Sequence, residues 1–115
     1  MSVDAFPVSL AEQTMLSVLC QNSLTDAEVK AARAALRSLD PAWTLECCES
    51  CESDLFLDLS TTRPAGRYDR YVLHARNGAI CVFAMADDAY APFGEFSDIT
   101  QAARAVAEAI AASDR

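Results

Sequence analysis

The chain has 115 residues and a formal net charge of −8, with 52% hydrophobic and 23% charged residues. This length suits a single domain over residues 1–115, large enough to bury roughly 60–70% of the surface that the unfolded chain exposes. Apolar runs fall far short of the roughly 20 residues that a membrane-spanning helix needs. The acidic balance disfavours nucleic acids and anionic membranes as direct partners and favours a protein with a basic surface, although solubility alone also explains such a charge.

The N-terminal residues and the cysteines bear on cellular location. Residues 1–7 contain no basic start followed by an apolar stretch, so we expect no signal peptide and a cytoplasmic protein. The cysteines are odd in number and crowded, unlike the even, spaced set of a secreted disulfide framework; they are Cys20, Cys47, Cys48, Cys51 and Cys81. We therefore expect reduced thiols.

Three segments carry helix signals. Ser9 and Thr25 each begin a capping box, in which the hydroxyl accepts from the third helical N–H and a glutamate reaches back to the cap. These signals predict helices over residues 10–21 and 26–39. A third, alanine-rich helix is predicted over residues 98–113.

Two alternating segments predict a first β-hairpin. Residues 43–47 and 54–59 both alternate apolar and polar side chains, so each predicts a strand with one buried face. Matching the apolar faces places Leu45 opposite Leu57 and leaves a turn over about residues 49–53, or a shorter turn with a bulge.

A second hairpin is marked by Asn77-Gly78, because both central residues of a two-residue turn must tolerate positive φ. This turn sets the pairing of the flanking strands, which is Ala75 with Ile80, His74 with Cys81, Leu73 with Val82, and Val72 with Phe83. The next segment, residues 86–97, interleaves aromatic and acidic residues. It is predicted to be a loop, long enough to be either a contact loop or a segment anchored by its rings.

The order of elements predicts an α+β domain: a two-layer sandwich of a four-stranded antiparallel meander with helices on one face, in the order ααββββα. The outer face of this sheet would carry more apolar surface than a solvated face needs, namely Phe56, Val72, Phe83 and Met85.

Catalytic and metal motifs are weak in this chain. Cys48 and Cys51 form a CxxC, but the following strand and the flanking glutamates oppose the thiolate that redox chemistry needs. A zinc site would need further ligands from distant residues. His74 opposite Cys81 lies in mid-strand, without a pocket or an oxyanion site. We expect no catalytic residue, no metal and no cofactor, and a Cys-based metal or thiol protein remains an alternative.

The stretch from Glu46 to Asp58 concentrates negative charge without a basic residue. The predicted register places Glu46 opposite Phe56, with Asp54 and Asp58 on the diagonals. Outward residues along a strand are about 7 Å apart, close to the phosphate repeat of a nucleic-acid strand. The predicted partner-binding residues are Glu46, Glu49, Glu52, Asp54, Phe56, Asp58, Asp87, Asp88, Tyr90 and Phe93.

Charge and size together favour a small non-enzymatic binding protein, an inhibitor that covers a basic nucleic-acid-binding surface of a protein partner. Nucleic-acid mimics, including some phage-encoded inhibitors of bacterial defence, use this physical strategy. A different class stays open, a structural or chaperone-like homodimer that buries the apolar sheet face. We expect a monomer or a homodimer with no membrane partner.

Overall fold

Two helices and five strands make up the described part of the chain, which in the computed structural model comprises residues 23–62, 68–86 and 89–113. In chain order these elements are α1 (Asp26–Ala35), β1 (Trp43–Glu49), β2 (Leu55–Thr61), β3 (Arg70–Arg76), β4 (Ala79–Ala86), β5 (Ala89–Phe96) and α2 (Ile99–Ser113). The strands form one antiparallel sheet in the order β1-β2-β3-β4-β5. The α+β class is confirmed, but the sheet has five strands instead of the predicted four. The helix predicted over residues 10–21 lies outside the described residues.

Helix α1 begins with the predicted capping box. Glu28 N–H donates to Thr25 Oγ1 at 3.1 Å, and Thr25 N–H donates to Glu28 Oε1 at 2.9 Å. The helix ends at Ala35, four residues before the predicted end. Successive tight turns follow, closed by Leu39 N–H on the carbonyl of Leu36 and by Trp43 N–H on that of Asp40. These turns reverse the chain into β1, which a helix continued to residue 39 would not do.

The hydrophobic core lies between the helices and one face of the sheet. Each helix presents a stripe of small and branched apolar residues at helical spacing, and alternate residues of β2, β3 and β4 meet it. The buried set is Leu24, Val29, Ala32, Leu36, Leu57, Leu59, Tyr71, Leu73, Ile80, Val82, Ala84, Ile99, Ala102, Ala103, Val106 and Ile110. Both described helices therefore cover the same face, and the opposite face is called the outer face below.

The first hairpin forms in a register two residues away from the predicted one. Leu45 pairs with Leu59 instead of Leu57, and the strands are joined by residues 50–54. The turn decides this register, because Ser50 Oγ accepts from the N–H groups of Glu52 and Asp54 and Ser50 N–H donates to the carbonyl of Asp54. A shift of two residues keeps each side chain on its face, so the apolar pattern could not distinguish the two registers.

The second hairpin forms as predicted. All four predicted pairs between β3 and β4 are present, from Ala75 with Ile80 to Val72 with Phe83. Asn77 has a φ of 50° and Gly78 a φ of 81°. These left-handed values are those that a two-residue hairpin turn requires.

The segment predicted to be a loop contains strand β5. This strand pairs with β4 from Ile80 to Ala86, with a register shift at Val82/Phe83 that accommodates an extra residue. Pro92 lies in β5, which is compatible with a strand at the edge of the sheet because none of the other described strands needs its missing N–H. The sequence pattern did not predict this strand, because the proline and the bulge both interrupt the alternation of apolar and polar residues that identifies strands.

Replacing Gly78 with alanine should lower the free energy of unfolding by about 1 kcal/mol, because a side chain at its φ of 81° is strained. Urea unfolding measures the effect. Asn77→Gly is the matched control, since glycine adopts the φ of 50° without strain. Equal losses in the two variants would contradict the turn geometry.

Candidate partner-binding surface

On the outer face of the sheet, the side chains change from acidic on β1 and β2 to aromatic on β4. Strand pairing places Glu46 opposite Asp58, Asp58 opposite Val72, and Val72 opposite Phe83. The row ends at Pro92 on β5. One row across the sheet thus presents two carboxylates, then a branched aliphatic side chain, then an aromatic ring. The hydrogen bonds between the strands fix the register of the sheet, so they also fix the order of these side chains across it.

Glu46 and Asp58 form the acidic side of this face. Their carboxylate oxygens and the Cys48 sulfur all lie within 4.8 Å of one another. Like charges directly opposite on neighbouring strands repel, so this pair gains from any nearby cation. Burial first, and then the charges of Asp58 and Glu46, raise the pKa of the Cys48 thiol. The thiol therefore stays protonated, and the group is an anionic patch of two carboxylates.

Arg70 on β3 partly neutralises this patch. Its Nε lies 3.4 Å from Asp58 Oδ1, an ion pair without the alignment of a hydrogen bond. The Arg70 side chain is 46% exposed, whereas that of Asp58 is 18% exposed. Glu46 is exposed, and its charge is the more available to an external cation. Glu46, Cys48 and Asp58 could together offer three ligand atoms to a metal ion. Arg70 already supplies positive charge to this group.

His74, Phe83 and Tyr90 form an aromatic strip beside the acidic side. The His74 and Phe83 rings stack at 5.5 Å with 16° between their planes. Phe83 meets Tyr90 edge to face at 5.6 Å. Val72 and Met85 lie half-buried on the same face. Tyr90 is 65% exposed and is the one large hydrophobic residue exposed in the described part of the chain.

The structure separates the predicted partner-binding residues into groups. Glu46, Phe56 and Asp58 share the outer face, although Phe56 lies opposite Cys48 and not opposite Glu46 as predicted. Tyr90 lies on the same face at the other edge, opposite Met85.

The other predicted contact residues lie elsewhere. Glu49 is exposed at the end of β1, and the alternation of the strand puts it on the same side as Leu45, the helix-covered face. Glu52 and Asp54 lie in the turn over residues 50–54. Phe93 packs edge to face on the core residue Tyr71 at 5.5 Å, so its ring anchors β5. Asp87 and Asp88 lie outside the described residues.

Arg70 shares the outer face with Asp58 because β3 pairs with β2. One outer-face residue, Glu95, escaped sequence reasoning. Glu95 lies opposite Cys81 because β5 is a strand. The alternation of Glu95 with the flanking Gly94 and Phe96 was the available signal for it.

His74, Cys81 and Glu95 form a second row across β3, β4 and β5. The Cys81 sulfur contacts Glu95 Oε2 at 3.8 Å. Burial, with help from Glu95, raises the pKa of the Cys81 thiol. A nucleophilic triad needs the carboxylate on the imidazole and a thiol that ionises easily. Here the carboxylate contacts the thiol instead of the imidazole, which opposes ionisation of Cys81. The row therefore indicates side-chain packing between neighbouring strands.

Acidification should destabilise the fold through His74, the one histidine of the chain. Burial lowers the pKa of His74, so the unfolded chain binds a proton more readily than the folded protein. Stability should therefore fall as the pH drops through the ordinary histidine value of about 6.5. Urea unfolding at about pH 7.5 and about pH 5.5 measures this loss, which His74→Gln should reduce. An unchanged pH dependence in the variant would contradict the role of His74.

Comparison of the chain with protein-family models, with curated proteins and with solved structures found no significant match. Neither described helix is long and apolar enough to span a membrane. Fold and site together define a two-layer α+β domain whose outer sheet face joins an acidic side to an aromatic strip.

Proposed function

We propose that this protein is a non-catalytic, cytoplasmic binding module that covers a basic surface of a protein partner with its outer sheet face. The observation that carries the proposal is the unbroken row from Glu46 through Asp58 and Val72 to Phe83. It places charge and apolar surface side by side on one face that no described helix covers. The described helices lie on the other side of the sheet.

The two halves of this face make different contributions to binding. The aromatic strip supplies apolar area, worth about 25 cal/mol for each Å² buried, and exposed aromatic rings are typical centres of binding energy. The acidic side adds attraction at long range and selects against acidic partners. Arginines of a partner suit both halves, because a guanidinium binds carboxylates through two hydrogen bonds and also stacks on aromatic rings.

We further propose that the covered surface is one that binds nucleic acid, and that the protein acts as an inhibitor in the manner of phage-encoded nucleic-acid mimics. A net charge of −8 supports this, since a cationic channel evolved for phosphates attracts it. Nucleic acid itself is repelled by the same charge.

Salt-dependent capture tests this function. Immobilised protein should retain basic proteins from a bacterial lysate at about 0.1 M salt and lose most of them at about 0.5 M, because screening weakens exposed charge pairs. Duplex DNA added at low salt should release the same proteins. Retention that ignores both salt and DNA would contradict the proposal.

A structural or chaperone-like role as a homodimer is the second candidate function. Val72, Phe83 and Met85 lie half-buried beside the exposed Tyr90, and a second copy could cover this strip. Size-exclusion chromatography with light scattering separates the candidates: the binding module elutes with the monomer mass of 12.4 kDa, and the dimer with twice that mass. Capture of basic proteins by a stable dimer would assign binding to surfaces other than the aromatic strip.

A further inference from the structure

A cleft of about 520 Å³ lies between the C-terminal end of α1 and the first hairpin. It opens toward the helix-covered side of β1 and β2, away from the outer face. Its floor is apolar, formed by Leu36, Leu45 and Leu59 with Trp43. Leu36 and Leu59 are buried core residues, whereas Leu45 and Trp43 are half-buried. The floor therefore offers apolar surface that is continuous with the hydrophobic core.

Two arginines stand at the rim of this cleft. Arg33 in the last turn of α1 and Arg37 in the turn that follows the helix both line the cleft. Within the described part of the chain, neither group takes part in a hydrogen bond or an ion pair. The chain carries 17 acidic residues against 9 basic ones, and these two cations give the rim of the cleft an excess of positive charge.

Asp40 is the opposing charge at this rim. Its Oδ1 accepts a hydrogen bond from Ala42 N–H at 2.8 Å and stabilises the turn into β1. The rim thus holds two cations and one carboxylate that already has a donor. The helix dipole favours Arg33 in the last turn of α1. Arg37 lies beyond the helix end and has no such role there.

We propose that this cleft binds a single-chain anionic amphiphile, with its carboxylate head between Arg33 and Arg37 and its alkyl chain on the floor beside Trp43. The volume lies within the roughly 300–1,000 Å³ that is typical of small-molecule sites, and the lining combines apolar side chains with charged ones. Guanidinium groups suit a carboxylate because they offer two parallel donors. This site is separate from the outer face and does not depend on the function proposed above.

The fluorescence of Trp43 reports on this cleft directly, because the chain has one tryptophan. Titration with decanoate below its micelle concentration should change the emission in a saturable way. Decyltrimethylammonium, which has the same chain and the opposite charge, should bind at least tenfold more weakly, a difference of about 1.4 kcal/mol. Equal binding of the two amphiphiles, or no saturable change with decanoate, would overturn the proposal.

The double variant Arg33→Gln/Arg37→Gln should bind decanoate roughly tenfold more weakly than the wild type. The variant Lys30→Gln/Arg104→Gln is its charge-matched control, since Lys30 and Arg104 are exposed and lie outside the cleft. The control should bind as the wild type does. All four side chains are exposed, and urea unfolding verifies that both variants keep their stability. Equal weakening in both variants would show a general effect of net charge and would reject the site.

Discussion

Replacing Leu73 with alanine is expected to lower the free energy of unfolding by about 3 kcal/mol, as large-to-small changes in a well-packed core do. Leu73 is fully buried on the central strand β3, with Leu57 opposite it on β2 and Val82 opposite it on β4. The alanine would leave a cavity between the sheet and the helices, because neighbouring strands cannot collapse into it. Urea unfolding measures the loss.

Val72→Ala is the matched control for this change. Val72 is the preceding residue of the same strand, but its side chain lies half-buried on the outer face. Its truncation should cost less than about 1 kcal/mol, because water already reaches part of the side chain. Similar losses in the two variants would mean that the assignment of the two sheet faces is wrong.

The double variant Glu46→Lys/Tyr90→Ala is expected to weaken partner binding about 100-fold, or about 2.7 kcal/mol. The lysine turns attraction toward a basic partner into repulsion. The alanine removes the most exposed aromatic ring of the outer face. The fold should survive, because a lysine at position 46 would face Asp58 and replace a repulsive pair with an attractive one. Isothermal titration with a captured partner measures the change.

Glu108→Lys controls for net charge in that experiment. Glu108 is exposed on α2, in the helix layer on the other side of the sheet. Its reversal changes the net charge by the same amount as reversal of Glu46. Binding that weakens equally in Glu108→Lys and in the double variant would place the interaction in the overall charge and not in the outer face.

Local signals predicted much of this fold. The capping box at Thr25 and the Asn77-Gly78 turn each specify a hydrogen-bonding pattern within a few residues, and both appear in the structure. The second hairpin was correct to the residue because a two-residue turn leaves one register. Alternation also assigned the leucines of β2 to the buried face correctly.

Features that depend on longer loops or on contacts between hairpins were not predictable in the same way. The five-residue connection after β1 allows several registers with the same faces, and hydrogen bonds of Ser50 select among them. Strand β5 was missed because Pro92 and a bulge break its pattern, yet β4 offers a free edge with which it pairs.

The candidate site was predictable in its chemistry more than in its geometry. The acidic stretch and the apolar outer residues stand out in the sequence, because charge and alternation are local properties. Their arrangement in one row needed the order of all five strands. The same order moved Phe93 to the core side and brought Glu95 to the outer face.

Competition between this protein and DNA for a captured partner tests the central claim most directly. Fluorescence anisotropy of a labelled DNA duplex bound to that partner would be followed while this protein is added. Mutually exclusive binding predicts that the duplex is released completely, with a midpoint that rises in proportion to the duplex concentration. A ternary complex, in which the duplex stays bound at saturation, would contradict the claim that the outer face occupies a nucleic-acid-binding surface.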